Sequence, residues 1–502
     1  MGYGDSLLPV HGIGGVMVDE TMPVDSIRGR ALAGVVALTS RTFVLQLIAF
    51  SATFLLTIFL SPAVFGIFYV VSAMVAFLGY FSDIGLAAAL IQKKHALTRE
   101  DLVTTFTIQQ ILVGTAVIVA LVLSPFIGRW YGLDEPGMWL YRILALAFFL
   151  SSLKTIPSIL LERELAFGKL VIPQILETVG FYLTAVLLAW WGFGVTSFTW
   201  AVGVRAVVGL IAMYIVAPWI PGIGISKDVA LRLLRFGIPF QMNSFLALIK
   251  DDLLTVYLGK VLPLAQVGYI GWAKKWAEVP LRLIMDSIVR VTFPAFSRLQ
   301  HDTKRLRAGI EHTLFGLSVT ILPISVAMIV GIRPFMAVIP RYGKWEPALF
   351  SFYLFAVASA VASLSTPLTN ALNALGHIRT TLKLMVLWTT LTWAFTLILL
   401  PVFGFNAVAI ALLAITSTVA LVVVLLKRVV FFSFLRSVQT SIFGAIVQCI
   451  VAQGIILWLG STIFWTIVAQ CVGVILFGVV ILRFEREKVG LLTAQVRQLW
   501  KR

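Results

Sequence analysis

Leu55-Leu56-Thr57-Ile58-Phe59-Leu60 and Leu253-Leu254-Thr255-Val256-Tyr257-Leu258 are near copies of one another, 198 positions apart. Each closes an apolar segment, one at about 31–59 and the other at about 231–258. A few residues on, Phe65-Gly66-Ile67-Phe68 finds a weaker counterpart in Val267-Gly268-Tyr269-Ile270. Further along, Phe193-Gly194-Val195 matches Phe403-Gly404-Phe405. Short apolar strings coincide by chance, but these keep their order, spacing and place within segments. They predict two homologous six-helix units, 28–222 and 223–430. Six is even, so both units start on the same side of a membrane and are related by an axis along its normal. Transporters whose halves rock about a central site are built this way.

Composition makes the membrane unavoidable. The 502 residues are 60% hydrophobic and only 12% charged, whereas a soluble domain carries about 25% charged residues. A bilayer core about 30 Å thick needs roughly 20 apolar residues of helix. Cutting the chain at its polar and Pro/Gly breaks gives fourteen such segments. The expected fold is therefore an all-α integral membrane protein with about 14 transmembrane helices: two six-helix repeats, then helices thirteen and fourteen within 431–482. Tails at 1–27 and 483–502 flank them, the second basic. Asp5, Asp19, Glu20 and Asp25 in the first tail leave no basic n-region, so no cleavable signal peptide is expected.

Charge placement checks the segment count. With both termini in the cytoplasm, 25 of the 39 Lys and Arg fall in cytoplasmic loops, 6 outside, and 8 inside segments. Such a positive-inside bias predicts cytoplasmic termini and accounts for the net charge of +17 without nucleic acid. Cys449 and Cys471 lie in apolar runs without metal-like spacing, so neither a disulfide nor a metal site is expected, and no cofactor is called for.

Four motifs then carry a resemblance. Phe81-Ser82-Asp83-Ile84-Gly85-Leu86 with Ala89-Leu90-Ile91-Gln92-Lys93-Lys94 follows helix two, and Leu161-Glu162-Arg163-Glu164-Leu165 follows helix four. Arg235-Phe236-Gly237-Ile238-Pro239 opens helix seven, and Phe293-Pro294-Ala295-Phe296-Ser297-Arg298-Leu299 closes helix eight. Together they resemble Wzx-type polysaccharide flippases of the multidrug/oligosaccharidyl-lipid/polysaccharide exporter superfamily. The resemblance implies a multi-pass protein of the bacterial inner membrane that moves an undecaprenyl-pyrophosphate-linked oligosaccharide outward. It also implies a polysaccharide polymerase and other assembly proteins as partners.

An anionic head group requires cations inside the membrane, where ionisable groups usually face a partner or a wet cavity. On helix eight Lys274, Glu278, Arg282, Asp286 and Arg290 recur every four residues beside Lys275, an arc of roughly 160° at 100° per residue. Three readings compete: a ladder of internal ion pairs, an interfacial segment whose ends snorkel, and a cavity wall that receives pyrophosphate. Four cations against two carboxylates favour the third. Elsewhere Arg41, Arg205 and Lys250 are cations within segments, and Asp83, Glu177, Asp251 and Asp252 are acids. Arg41 and Arg205 are further candidates for substrate binding, and Arg41 with Asp83 and Glu177 with Arg205 are alternatively structural pairs. Asp251 or Asp252 is a candidate coupling-ion site, with Lys250 as a simpler partner.

Two rival classes remain. A drug/cation or other lipid exporter of the same superfamily would carry smaller substrates. A membrane glycosyl or phosphoglycosyl transferase would need a catalytic constellation, and the sequence has no H-E-x-x-H, no P-loop and no histidine cluster. No catalytic residue is assigned.

Overall fold

The computed structural model describes residues 45–82, 85–93 and 95–490. These form helices, with no strand among the described residues: α1 (Leu45–Phe59), α2 (Pro62–Ser82), α3 (Leu86–Gln92), α4 (Arg99–Tyr131), α5 (Glu135–Ser152), α6 (Thr155–Arg163), α7 (Phe167–Trp190) and α8 (Val195–Val216). There follow α9 (Lys227–Leu248), α10 (Leu254–Val261), α11 (Leu264–Ala277), α12 (Val279–Arg298), α13 (Thr303–Val338), α14 (Leu349–Ala374), α15 (Ile378–Phe403), α16 (Ala407–Thr416), α17 (Val419–Lys427), α18 (Phe434–Leu459) and α19 (Ile463–Phe484). Local chemistry sets the ends. Thr98 and Asp101 cap α4 reciprocally, Gly132 ends it at φ +62°, and Asp134 accepts from Gly137 N to start α5.

Among the described residues, nine helices are long and apolar enough to cross a membrane, ten if the bent α5–α6 pair is one span. The difference from fourteen has three sources. Of α1 only Leu45–Phe59 lies among the described residues, α9 to α12 carry several charges, and the run Ile378–Lys427 counts once although α15 packs back on α16. Outward faces are apolar: Val122 is 72%, Ile215 76% and Leu457 77% exposed. So large an apolar surface matches a lipid surround rather than water.

The largest core binds α2, α4, α5, α7 and α8 to α10, α11 and α14 through Phe65, Phe198, Trp272, Trp345 and Phe352. Trp272 stacks on Trp345 with ring centroids 5.3 Å apart, and Trp345 Nε1 donates to Thr57 O at 2.9 Å. A second core joins α12, α13, α14 and α17 around Phe296, Leu314, Leu368 and Leu426. Between α2 and α11 there is no room for side chains. A Cβ on Gly66 would lie 1.7 Å from Leu264 O, and one on Gly268 would lie 1.9 Å from Pro62 O. Only glycine at both positions permits that approach.

Candidate functional site

Two breaks in otherwise continuous rods place the charges. Helix seven is interrupted by a π turn, Ile249–Leu253, between α9 and α10. Such a turn displaces the backbone bonding pattern, and here the Ile249 carbonyl accepts from Trp393 Nε1 of α15 at 3.0 Å. Lys250, Asp251 and Asp252 all sit on this turn. Helix eight breaks at Glu278, where α11 ends and α12 begins with Pro280 in its first turn.

The break divides the expected stripe between two cavities. Lys275 lines one of about 430 Å³ with Arg205, Gln46, Thr53, Tyr69 and Tyr182. Lys274, Glu278 and Arg282 line another, of about 640 Å³, with Lys250 and Asp251. Asp252 lines neither. Of the internal ladder, Glu278 with Arg282 forms, at 2.8 Å. Lys274 turns instead to Asp251 at 3.1 Å, and Lys250 flanks the same carboxylate at 3.7 Å. Lys275 has a single polar contact, donating to Thr53 Oγ1 at 3.1 Å, and no carboxylate within 4.0 Å among the described residues. Arg41 and Asp83 lie outside the described residues, as do the side chains of Asp286 and Arg290 on α12.

Glu177 of α7 lies 4.0 Å from Arg205 of α8, the expected pair, but its closer partner is Lys154, in the gap between α5 and α6. Lys154 and Glu177 are each 13% exposed, Arg205 58%. The carboxylate also lies over Gly209, where a Cβ would be 2.0 Å from its oxygen. In the sequence Lys154 falls inside the apolar segment 137–157, where nothing local names a partner for it. The following Thr155-Ile156-Pro157 was the available sign that the helix bends there rather than ending.

The motif residues gather away from both cavities. Arg163 Nη1 donates to Leu90 O and Lys93 O at 2.7 and 2.8 Å, and its Nη2 to His95 O at 3.1 Å. Gly85, at φ +74°, abuts Gly237, whose carbonyl oxygen would be 2.4 Å from an added Cβ. Buried Asp101 pairs with Lys93 and lies 3.7 Å from Arg232 of α9. Three of the four motifs thus meet in one cluster, while Phe296 of the fourth is buried in the second core. Their role here is to join helices.

The sequence profile of the polysaccharide biosynthesis protein family matches residues 55–349, more than half of the chain. The chain belongs to the polysaccharide biosynthesis protein family. It is 27% identical over 332 residues to the lipopolysaccharide biosynthesis protein WzxC of Escherichia coli (strain K12), covering 65% of this chain and 66% of WzxC. It is 29% identical over 250 residues to the succinoglycan biosynthesis transport protein ExoT of Rhizobium meliloti (strain 1021), 49% of each. The matches therefore span less than two thirds of these relatives' own length. The fold is similar to that of the lipid II flippase MurJ in an inward closed conformation, with a TM-score of 0.73 at 14% identity, covering 90% of this chain and 99% of MurJ. An inward-facing multidrug resistance MATE family transporter of the MOP superfamily follows at TM-score 0.59 and 16% identity, covering 79% and 97%. The protein is thus a multi-pass, all-α membrane protein of this family with the MurJ-like fold.

Proposed function

We propose that this family member flips a polyprenyl-pyrophosphate-linked oligosaccharide from the cytoplasmic to the periplasmic leaflet of the bacterial inner membrane, by alternating access and without catalysis. The observation that carries this reading is Lys275. It is an ammonium within the helical bundle, facing a cavity and free of any carboxylate partner among the described residues. An unpaired cation in a low-dielectric site is costly, and an entering anion supplies the missing charge. Arg205 lines the same cavity and adds a second positive group, so the wall matches a diphosphate better than a neutral or cationic molecule. The drug/cation alternative fits less well, because Asp251, the acid lining the other cavity near its lysines, is already held by Lys274 and Lys250.

In this reading residues 28–222 and 223–430 are the rocking lobes, both termini are cytoplasmic, and helices thirteen and fourteen are peripheral. The reciprocal approach of Gly66 and Gly268, which lie at matching places in the two proposed repeats, supports the division. The prenyl tail stays in lipid while the head group crosses, and a polysaccharide polymerase outside consumes the product. Deleting the gene in its host should abolish surface glycan while lipid-linked oligosaccharide accumulates in the inner membrane. Normal surface glycan in the deletion strain would overturn the proposal.

A further inference from the structure

We infer that the 640 Å³ cavity is a glycan subsite, separate from the diphosphate subsite at Lys275; the inference rests on the flippase reading above. The two cavities differ in chemistry. Among the described residues, the first is lined by Lys275 and Arg205 and by no carboxylate. In the second, Lys250 and Lys274 share Asp251 and Arg282 pairs with Glu278, so all but one of the charges are offset, and apart from the Trp388 indole the rest of the polar wall is hydroxyl. An anion is drawn to the first. A neutral polyol, with donors and acceptors in similar number, suits the second.

The hydroxyls are placed for such a ligand. Ser359, Thr366 and Thr369 stand on one face of α14, with Thr392 of α15 also lining the cavity. The Thr366, Thr369 and Thr392 hydroxyl protons go to helix carbonyls: Ala362 O at 3.1 Å, Thr366 O at 2.8 Å and Trp388 O at 2.7 Å. Their lone pairs remain, so they are acceptors for sugar hydroxyls. Ser359 is only 7% exposed, and its Oγ has no hydrogen-bond partner among the described residues although Ser359 lines the cavity. An unpaired buried hydroxyl is destabilising until a ligand group satisfies it. A lipid chain or an aromatic drug would leave it unpaired; a sugar hydroxyl would not. The volume lies within the roughly 300–1,000 Å³ of small-molecule sites. Lys274 and Lys275 are consecutive residues of α11, so both subsites back on to the same helical turn.

The test compares two probes on the full chain in lipid nanodiscs: undecaprenyl pyrophosphate, and the host's own lipid-linked oligosaccharide. Ser359→Ala should weaken the glycan-bearing lipid about 3- to 10-fold, the loss of one hydrogen bond. Ala362→Leu, which narrows the cavity without removing a polar group, should weaken it more than about 10-fold. Neither should change the affinity for undecaprenyl pyrophosphate or lower the thermal midpoint. An equal loss for both probes, or no loss for either, overturns the subsite. Failure of the wild-type chain to bind either probe overturns the flippase reading itself, and the subsite with it.

Discussion

Gly66 of α2 and Gly268 of α11 lie backbone against backbone, each filling the space a side chain would need on the other. A Cβ on either would come within 3.2 Å of the other's amide nitrogen and within 2 Å of a carbonyl oxygen. Both follow the start of their helix by a few residues, Pro62 in one and Leu264 in the other. The contact is reciprocal, as two halves related by a two-fold axis would make it.

Alanine at either glycine should force α2 and α11 apart and cost about 1–3 kcal/mol, the range for overpacking. Thermal unfolding in detergent reads this. The double variant should lose less than the sum of the singles, because the first separation already makes room for the second. Gly114→Ala is the control: nothing lies within 4 Å of its added Cβ, so it should be neutral or stabilising.

The motif cluster gives a second expectation. Arg163 reaches three carbonyls with its planar fork, which a lysine cannot do. Arg163→Lys should therefore loosen the segment around Leu90 to His95, speeding limited proteolysis there and lowering membrane abundance. Unchanged protease sensitivity would show that the fork is not holding this segment.

At Glu177 the two partners separate by role. Lys154→Ala leaves a half-buried carboxylate with only a distant arginine and should reduce abundance. Arg205→Ala removes an exposed, long-range partner and should spare abundance while reducing glycan export. If both variants fall equally in abundance, Arg205 is a structural residue rather than part of the cavity.

These residues also show what the sequence could and could not disclose. The all-helical membrane fold follows from composition and segment length, which are local properties. Helix eight reads in the sequence as one continuous striped helix, although Pro280 stands next to the break at Glu278. The helical wheel set Lys274 and Lys275 on one polar arc, and they serve different cavities because space opens on both sides of α11. The π turn at Ile249–Leu253 had no local signal, since its freed carbonyl is satisfied by Trp393, over a hundred positions away. Glu278 paired with Arg282 as the four-residue spacing implied. Lys274 did not pair with Glu278, because Asp251 on a neighbouring helix stands closer. Motifs read as a signature of transport became, in three dimensions, the joints between α3, α6 and α9.

The most direct measurement is the affinity of undecaprenyl pyrophosphate for the full chain in nanodiscs, for wild type, Lys275→Ala and Lys275→Arg. A charge-assisted bond is worth about 1.5–3 kcal/mol, so Lys275→Ala should bind about 10- to 150-fold more weakly with its thermal midpoint no lower. Lys275→Arg, which keeps the charge, should retain most of the affinity. Wild-type affinity in Lys275→Ala would contradict the assignment of this lysine to the head group.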